Sequence, residues 1–289
     1  MVQVSQVGKK FHDFLLKDIT FHLPAGYIMG LVGKNGAGKS SLLRLLLGVY
    51  AGDKGEILID GIDLRWEQQQ AKQKLGFVMA EEMFAGSLTL EENGLFFGKY
   101  YKDYDHERLL EDCRKFGLRT EEKLKQHSKG EQLKFQFAFA LAHNPSLLIL
   151  DEPTANFDPE FQQEFRQRIS EFVSDGKHSV ILATHNMQDL DQIADYIGFL
   201  HRGEMIFFLN RNELEGRYRL AMGEKYQLQK LPREDILYQE DGAFGSKALI
   251  RRRRWREYDP ALEITVPGME DIVYYLLQAN EEWRGEFLW

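Results

Sequence analysis

Cysteine is nearly missing from this chain: Cys113 stands alone among 289 residues. That excludes an internal disulfide and fits a reducing compartment. Long apolar runs are missing too. A membrane-spanning helix needs about 20 consecutive apolar residues, and the most apolar stretches, residues 42–49 and 147–150, fall far short. There is no basic excess: 37 Lys and Arg against 45 Asp and Glu leave a net charge of −8, which argues against nucleic acid as a partner. The opening Met1-Val2-Gln3-Val4 lacks a secretory pattern. Val2 excludes the glycine that myristoylation needs, and no cysteine lies near the C-terminus for prenylation. Any work at a membrane is therefore expected to require another chain that supplies the spanning helices. Internal repeats and low-complexity tracts are absent as well.

What is present is a regular alternation. Over about the first 210 residues short β-rich runs alternate with longer helical patterns, the signature of an α/β sheet whose ligands sit beyond the carboxyl ends of its strands. Residues 27–32 read as an apolar strand, and Ser41, Leu42, Leu43, Leu45 and Leu46 as the helix after it. Residues 147–150 and 180–183 read as two further strands, ending in Asp151-Glu152 and Thr184-His185. Between them lies a helix-rich insert, about 84–143. Thr89-Leu90-Glu91-Glu92 and Ser128-Lys129-Gly130-Glu131 are capping boxes that open two of its helices, and Leu109, Leu110, Cys113 and Phe116 form an apolar stripe on another. From about Gly216 the texture changes. Residues 226–231, 236–238 and 262–266 read as strands, Asp241-Gly242 as a hairpin turn, and Met269, Ile272, Val273, Leu276 and Leu277 as one face of a final helix. The expected division is 1–215 for the main unit and 216–289 for a small α/β appendage.

Three motifs carry chemistry. Gly33-Lys34-Asn35-Gly36-Ala37-Gly38-Lys39-Ser40 fits the phosphate-binding P-loop in full, with a strand before it and a helix after it. Its glycines let backbone N–H groups converge on a phosphate, and the helix N-terminus adds positive potential. Lys39 is expected on the β- and γ-phosphates and Ser40 on Mg²⁺. Asp151, held at the end of an apolar strand, is the expected anchor for the Mg²⁺ shell, and Glu152 beside it is placed to orient the attacking water. Ser128-Lys129-Gly130 at a helix start is a second anion-binding candidate, although such a pattern alone is commonly only a cap.

Taken together, these motifs resemble the nucleotide-binding subunit of ABC transporters over roughly the first 210 residues. The resemblance implies a P-loop NTPase of ABC type, with an N-terminal antiparallel β subdomain, a helical insert and a small C-terminal appendage. It implies that ATP and Mg²⁺ are sandwiched between the P-loop of one subunit, residues 33–41 including Ser41, and the signature of a partner, Ser128, Lys129 and Gly130. It further implies that Asp151 and Glu152 are the Walker B pair, that Asp158 is the acid of a D-loop at residues 155–158, and that His185 contacts the γ-phosphate. Phe11 is implied as the aromatic that stacks on adenine. The implied partners are transmembrane permease subunits and a homodimer or heterodimer mate. The implied location is the cytoplasmic face of the membrane, as a peripheral subunit.

The sequence departs from the family pattern in places. The signature reads His127-Ser128-Lys129-Gly130-Glu131 rather than Leu-Ser-Gly-Gly-Gln, and its Ser-Lys-Gly core is similar to the exporter branch. Val266-Pro267-Gly268-Met269-Glu270-Asp271 is similar to the close of many exporter ATPases. Ala80 stands where the Q-loop glutamine is expected, which leaves Glu81 as a candidate substitute ligand for Mg²⁺. The D-loop carries Asn156-Phe157. A basic cluster at 251–254 suits either a solvated turn or anionic lipid headgroups. The leading reading is an ATP-driven export subunit; the alternatives are an import ATPase, a soluble ABC switch and an ATP sensor with little turnover.

Overall fold

The computed structural model describes residues 1–184, 187–242, 245–252 and 258–282. The N-terminal strands β1 (Val2–Lys10) and β2 (Leu15–Leu23) are antiparallel; alternation turns Val2 and Val4, and Ile19, Phe21 and Leu23, inward, and an irregularity between Leu16 and Ile19 brings Leu16 in as well. Strand β3 (Ile28–Val32) is buried throughout and feeds helix α1 (Lys39–Leu46). Strand β4 (Lys54–Ile59) pairs antiparallel with β1, and β5 (Ile62–Asp63) extends that edge. This is the antiparallel subdomain expected at the N-terminus.

Helix α2 (Gln68–Gln73) and strand β6 (Leu75–Val78) lead into the insert, built from α3 (Leu90–Gly98), α4 (His106–Lys115) and α5 (Lys129–Ala142). Both expected capping boxes are formed. Thr89 and Glu92 close the start of α3, and Ser128 and Glu131 close the start of α5. The chain then returns through β7 (Leu147–Asp151), α6 (Pro159–Val173), β8 (Ser179–Ala183), α7 (Met187–Ile193), β9 (Tyr196–His201), β10 (Glu204–Asn210) and α8 (Arg211–Arg217). The large sheet runs β5-β4-β1-β2-β10-β9-β3-β8-β7-β6. Of the five neighbouring pairs from β10 to β6, four are parallel, β9/β3, β3/β8, β8/β7 and β7/β6, and these put their carboxyl ends on one edge. Strands β3, β7 and β8 are buried on both faces, as a parallel sheet covered by helices requires.

A second sheet follows, formed by β11 (Tyr218–Gly223), β12 (Ile236–Gly242), β13 (Gly245–Arg251) and β14 (Glu263–Thr265) in the order β12-β13-β11-β14, all antiparallel. The expected strand at 226–231 is not one: Lys225–Leu228 is the short helix α9. Gln227 reaches back to cap the backbone N–H of Glu224, and Leu228 and Leu231, three apart, bury together in the small core of this sheet. Spacing by three suits a helical turn rather than a strand. The closing helix α10 (Met269–Glu282) buries Met269, Ile272, Val273 and Leu276 in the same core as Leu190 of α7. In the basic cluster, Arg251 ends β13 and the backbone N–H of Arg252 donates to the Arg217 carbonyl at 2.7 Å; Arg253 and Arg254 lie outside the described residues.

The insert joins the sheet through phenylalanines. Phe137 lies 4.9 Å from Phe165 between ring centroids, and Phe157 lies 4.7 Å from Phe161 and 5.4 Å from Phe165. Phe165 is 1% exposed, so deleting its ring opens a cavity that its neighbours cannot fill. Phe165→Ala is expected to cost about 3–5 kcal/mol of stability, read as a lowered urea midpoint in equilibrium unfolding.

Candidate nucleotide site

Strand β3 ends at Val32, and the chain turns through exposed Lys34, Asn35 and Gly36 before α1 begins at Lys39. Gly38, at φ 106°, lies in the left-handed region, and a Cβ there would meet the Phe14 ring at 2.6 Å. The turn is therefore a backbone cradle with little side-chain bulk, and the first turn of α1 leaves its N–H groups without helical partners. Ala37 is buried beneath the loop, and its N–H donates to the Lys34 carbonyl at 3.0 Å. Lys39 is buried, and its Nζ donates to the Gly33 carbonyl at 2.8 Å. Burial pulls its ammonium below the ordinary lysine range, opposed by the charges of Glu152 and then Asp151.

Asp151 closes β7 two strands from β3 and is 8% exposed. Burial raises its carboxyl above the usual range, and a hydrogen bond from the Ser40 hydroxyl works against that rise. Ser40, with Ser41 next in α1, thus meets the Asp151 carboxylate directly. Among the described residues no group of three or more His, Cys, Asp or Glu forms a ready-made metal cage. A Mg²⁺ that keeps its waters and takes phosphate oxygens needs only one or two protein ligands, and Ser40 with Asp151 fits that need. Glu152 follows with φ 48°, a left-handed backbone for a residue with a Cβ, and its N–H donates to the Ala183 carbonyl at 2.8 Å. Such strain at a strand end is costly enough to need support from its surroundings. The predicted γ-phosphate contact, His185, lies outside the described residues.

The remaining predicted residues fall into two groups. Phe11 is half-buried at the mouth of the P-loop side, 6.2 Å from Phe14 and 5.4 Å from Tyr50 between ring centroids. Ser128 and Lys129 are exposed at the start of α5, and a Cβ on Gly130 would collide with the Asn156 carbonyl of the D-loop. Glycine is therefore required for α5 to approach that loop. Asp158 caps α6 by accepting from the Phe161 N–H at 2.9 Å and pairs with Lys134 at 2.9 Å. The Lys134 hydrogen bond, with that of Phe161, holds its carboxyl below the usual range. Phe157, the unusual D-loop residue, is absorbed by the phenylalanine core.

The segment around Ala80 shows what sequence reading missed. Gln136 of α5 is 5% exposed; its Oε1 accepts from the Met79 N–H at 2.9 Å and its Nε2 donates to the Glu81 carbonyl at 3.2 Å. One buried amide thus clamps the backbone on both sides of Ala80. The two carboxylates that follow reach in opposite directions, Glu81 to Arg44 of α1 and Glu82 to Lys129 of α5 at 3.3 Å. Arg44, the partner of Glu81, also acts on the charge of Asp151. The only sequence signal for Gln136 was a polar residue at a position of α5 that faces the core.

A P-loop backed by a buried acid on a neighbouring parallel strand defines a nucleoside-triphosphate-binding ATPase fold. Residues 16–155 match the ABC transporter family. The linearmycin resistance ATP-binding protein LnrL of Bacillus subtilis is 33% identical over 223 residues, covering 75% of this chain and 71% of that protein. The methionine import ATP-binding protein MetN of Protochlamydia amoebophila is 31% identical over 71% of this chain and 65% of that protein. The chain spans from 36% to 94% of the length of the curated relatives compared. A bacterial ABC transporter cassette solved as a dimer superposes with a TM-score of 0.65 at 25% identity, covering 73% of this chain and 98% of that one. The chain belongs to the ABC transporter family of ATP-binding proteins, and its fold is that of the ABC ATPase cassette. No helix among the described residues is long and apolar enough to cross a membrane.

Replacing Gln136 by leucine keeps the packing volume but strands the Met79 N–H and the Glu81 carbonyl. Gln136→Leu is expected to cost about 1–3 kcal/mol and to speed amide exchange at residues 79–82 more than elsewhere, measured by hydrogen–deuterium exchange.

Proposed function

We propose that this chain binds Mg·ATP between its own P-loop and the signature of a second copy or a related ATPase subunit. Closure and hydrolysis then drive export of a small molecule, peptide or antibiotic through separate transmembrane subunits. The observation that carries this reading is a division of labour within one chain. Lys39, Ser40, Asp151 and Glu152 converge at one sheet edge, while Ser128 and Lys129 stand exposed, with Gly130 behind them, on a separate helix start. An exposed anion site on a helix start separate from the P-loop suits a nucleotide held by another subunit. In this arrangement residues 33–41 wrap the phosphates, Ser40 and Asp151 hold Mg²⁺, and Glu152 orients the water. His185 is assigned to the γ-phosphate, Phe11 to the adenine face and Asp158 to the subunit junction. Mg²⁺ supplies charge neutralisation on the β- and γ-oxygens when bound.

Export is preferred to import because the Ser-Lys-Gly signature resembles the exporter branch and the LnrL relative is named for antibiotic resistance. Residues 1–215 form the proposed ATPase unit and 216–289 an accessory unit. The face offered to a membrane partner is the outer side of α3 and the turn after it, where Leu95, Phe96 and Tyr100 are 55%, 46% and 62% exposed. The loop ahead of it, at residues 85–89, is fixed by Asn93, whose side chain bonds Ala85 through both its N–H and its carbonyl. In this reading the chain works at the cytoplasmic face of the membrane as a peripheral subunit.

With hydrolysis blocked, the closed state should accumulate. Glu152→Gln in Mg·ATP is expected to shift from monomer to dimer by light scattering, and a persistent monomer would count against the shared site. The part assigned to Glu81 is tested separately. Glu81→Ala is expected to raise the Mg²⁺ concentration needed for half-maximal ATPase activity; an unchanged requirement would remove Glu81 from the metal site.

A further inference from the structure

Ser128, which the proposed shared site offers to a nucleotide, already has its hydroxyl engaged. Its Oγ donates to Glu131 Oε2 at 2.8 Å, and the same carboxylate oxygen accepts the Ser128 backbone N–H at 2.7 Å. The backbone bond is an ordinary reciprocal cap; the hydroxyl bond is not needed for it, because Oγ also accepts from the Glu131 N–H at 3.3 Å. A bond to a carboxylate is markedly stronger than one to a neutral amide. As the chain stands, then, the signature presents a negative charge and an occupied hydroxyl where a phosphate is to be received.

The other oxygen of the same carboxylate faces a second feature. Glu131 Oε1 lies 3.9 Å from Nδ1 of His127. His127 is 5% exposed, and neither ring nitrogen has a hydrogen-bond partner among the described residues. This is unusual for a buried imidazole. His143, at the other end of α5, shows the ordinary solution, with its ring nitrogens 3.0 and 2.9 Å from the carbonyl oxygens of Phe139 and Leu75. His127 is thus a buried polar group without a hydrogen-bond partner among the described residues, with a carboxylate oxygen 3.9 Å from one of its nitrogens.

We propose that Glu131 is a two-position acceptor. It holds the Ser128 hydroxyl while the subunits are apart, and turns to the Nδ1–H of His127 when a nucleotide phosphate takes that hydroxyl. Glu131 and His127 are positioning residues, and together they set the ATP concentration at which two subunits close. The charge of Glu131 raises that concentration, because the phosphate must displace it from Ser128. The ring of His127 lowers it, because the displaced carboxylate gains a buried partner away from the phosphate. The neighbouring Lys129, paired with Glu82, is drawn off the site in the same open state. The inference rests on the shared-site reading above.

The test titrates ATP against dimer formation by light scattering in Glu152→Gln protein, adding Glu131→Gln, His127→Leu, His127→Asn and the Glu131→Gln/His127→Leu pair. Glu131→Gln is expected to close at several-fold less ATP than its parent, and His127→Leu at several-fold more. His127→Asn keeps a donor near the Nδ1 position and is expected to return toward the parent. The paired variant is expected to follow Glu131→Gln, because His127 acts only through Glu131. A simple structural role for His127 predicts instead that its effect persists undiminished beside Glu131→Gln, which would overturn the proposal. So would Glu131→Gln closing at the same ATP concentration as its parent, a comparison that stands even where the leucine variant fails to fold. Failure of the parent to close at saturating ATP would overturn the shared site itself, and this inference with it.

Discussion

Everything assembled at the nucleotide edge depends on the parallel register of three buried strands. Pairing of β3 with β8 and of β8 with β7 sets Leu31 opposite Ala183 and Ala183 opposite Asp151. The P-loop, Asp151 and Thr184 therefore leave the sheet at one level, and the Ser40–Asp151 bond follows from that alignment. A slip of one residue would turn every side chain of a strand to the opposite face. Because all three strands are buried on both sides, such a slip gains no compensating burial, and the register is held firmly.

The second constraint is the placement of α5 against that edge. Its C-terminal end is tied to β6 through His143, its middle to the Ala80 segment through Gln136, and its start to the D-loop by the close approach of Gly130 to Asn156. The phenylalanines between α5 and α6 fill the space behind these contacts. The helix that carries Ser128 is thereby connected to both the Ala80 segment and the loop at residues 155–158. The departures from the family pattern read naturally in this frame. Phe157 adds a ring to an existing aromatic cluster, and the loss of a glutamine side chain at Ala80 leaves the backbone there clamped by Gln136. Glu131 keeps the cap that a glutamine would make and adds charge to it.

Much of this was legible in the residues. Glycine spacing, an apolar strand ending in two acids and the S-x-x-E and T-x-x-E boxes are local patterns, each with a local mechanism, and they were readable before any fold was known. The helical insert and the final helix were visible for the same reason, through their apolar stripes. What was not legible depends on contacts between segments distant in sequence. Gln136 reads as one more polar residue in α5, and only the fold brings it to Met79 and Glu81, more than a helix length away. His127 reads as a hydrophobic-position substitution, and its missing partners are visible only once its burial is known. The error at 226–231 has another cause. Tyr226, Leu228 and Leu231 suit a strand by composition, but the Glu224–Gln227 cap and the i, i+3 burial of the leucines outweigh propensity in so short a segment.

The account turns on a site built from two subunits, the P-loop of one and the signature of the other. Lys39→Ala and Ser128→Arg variants of the full chain, each inactive alone, allow that claim to be measured directly. The measurement is steady-state ATPase activity of the two purified variants mixed in equal amounts. A shared site predicts that activity reappears on mixing, because mixed pairs regain one site with an intact P-loop and an intact signature. Activity that stays at the level of the separate variants would mean that each chain completes its own site, and would contradict the account.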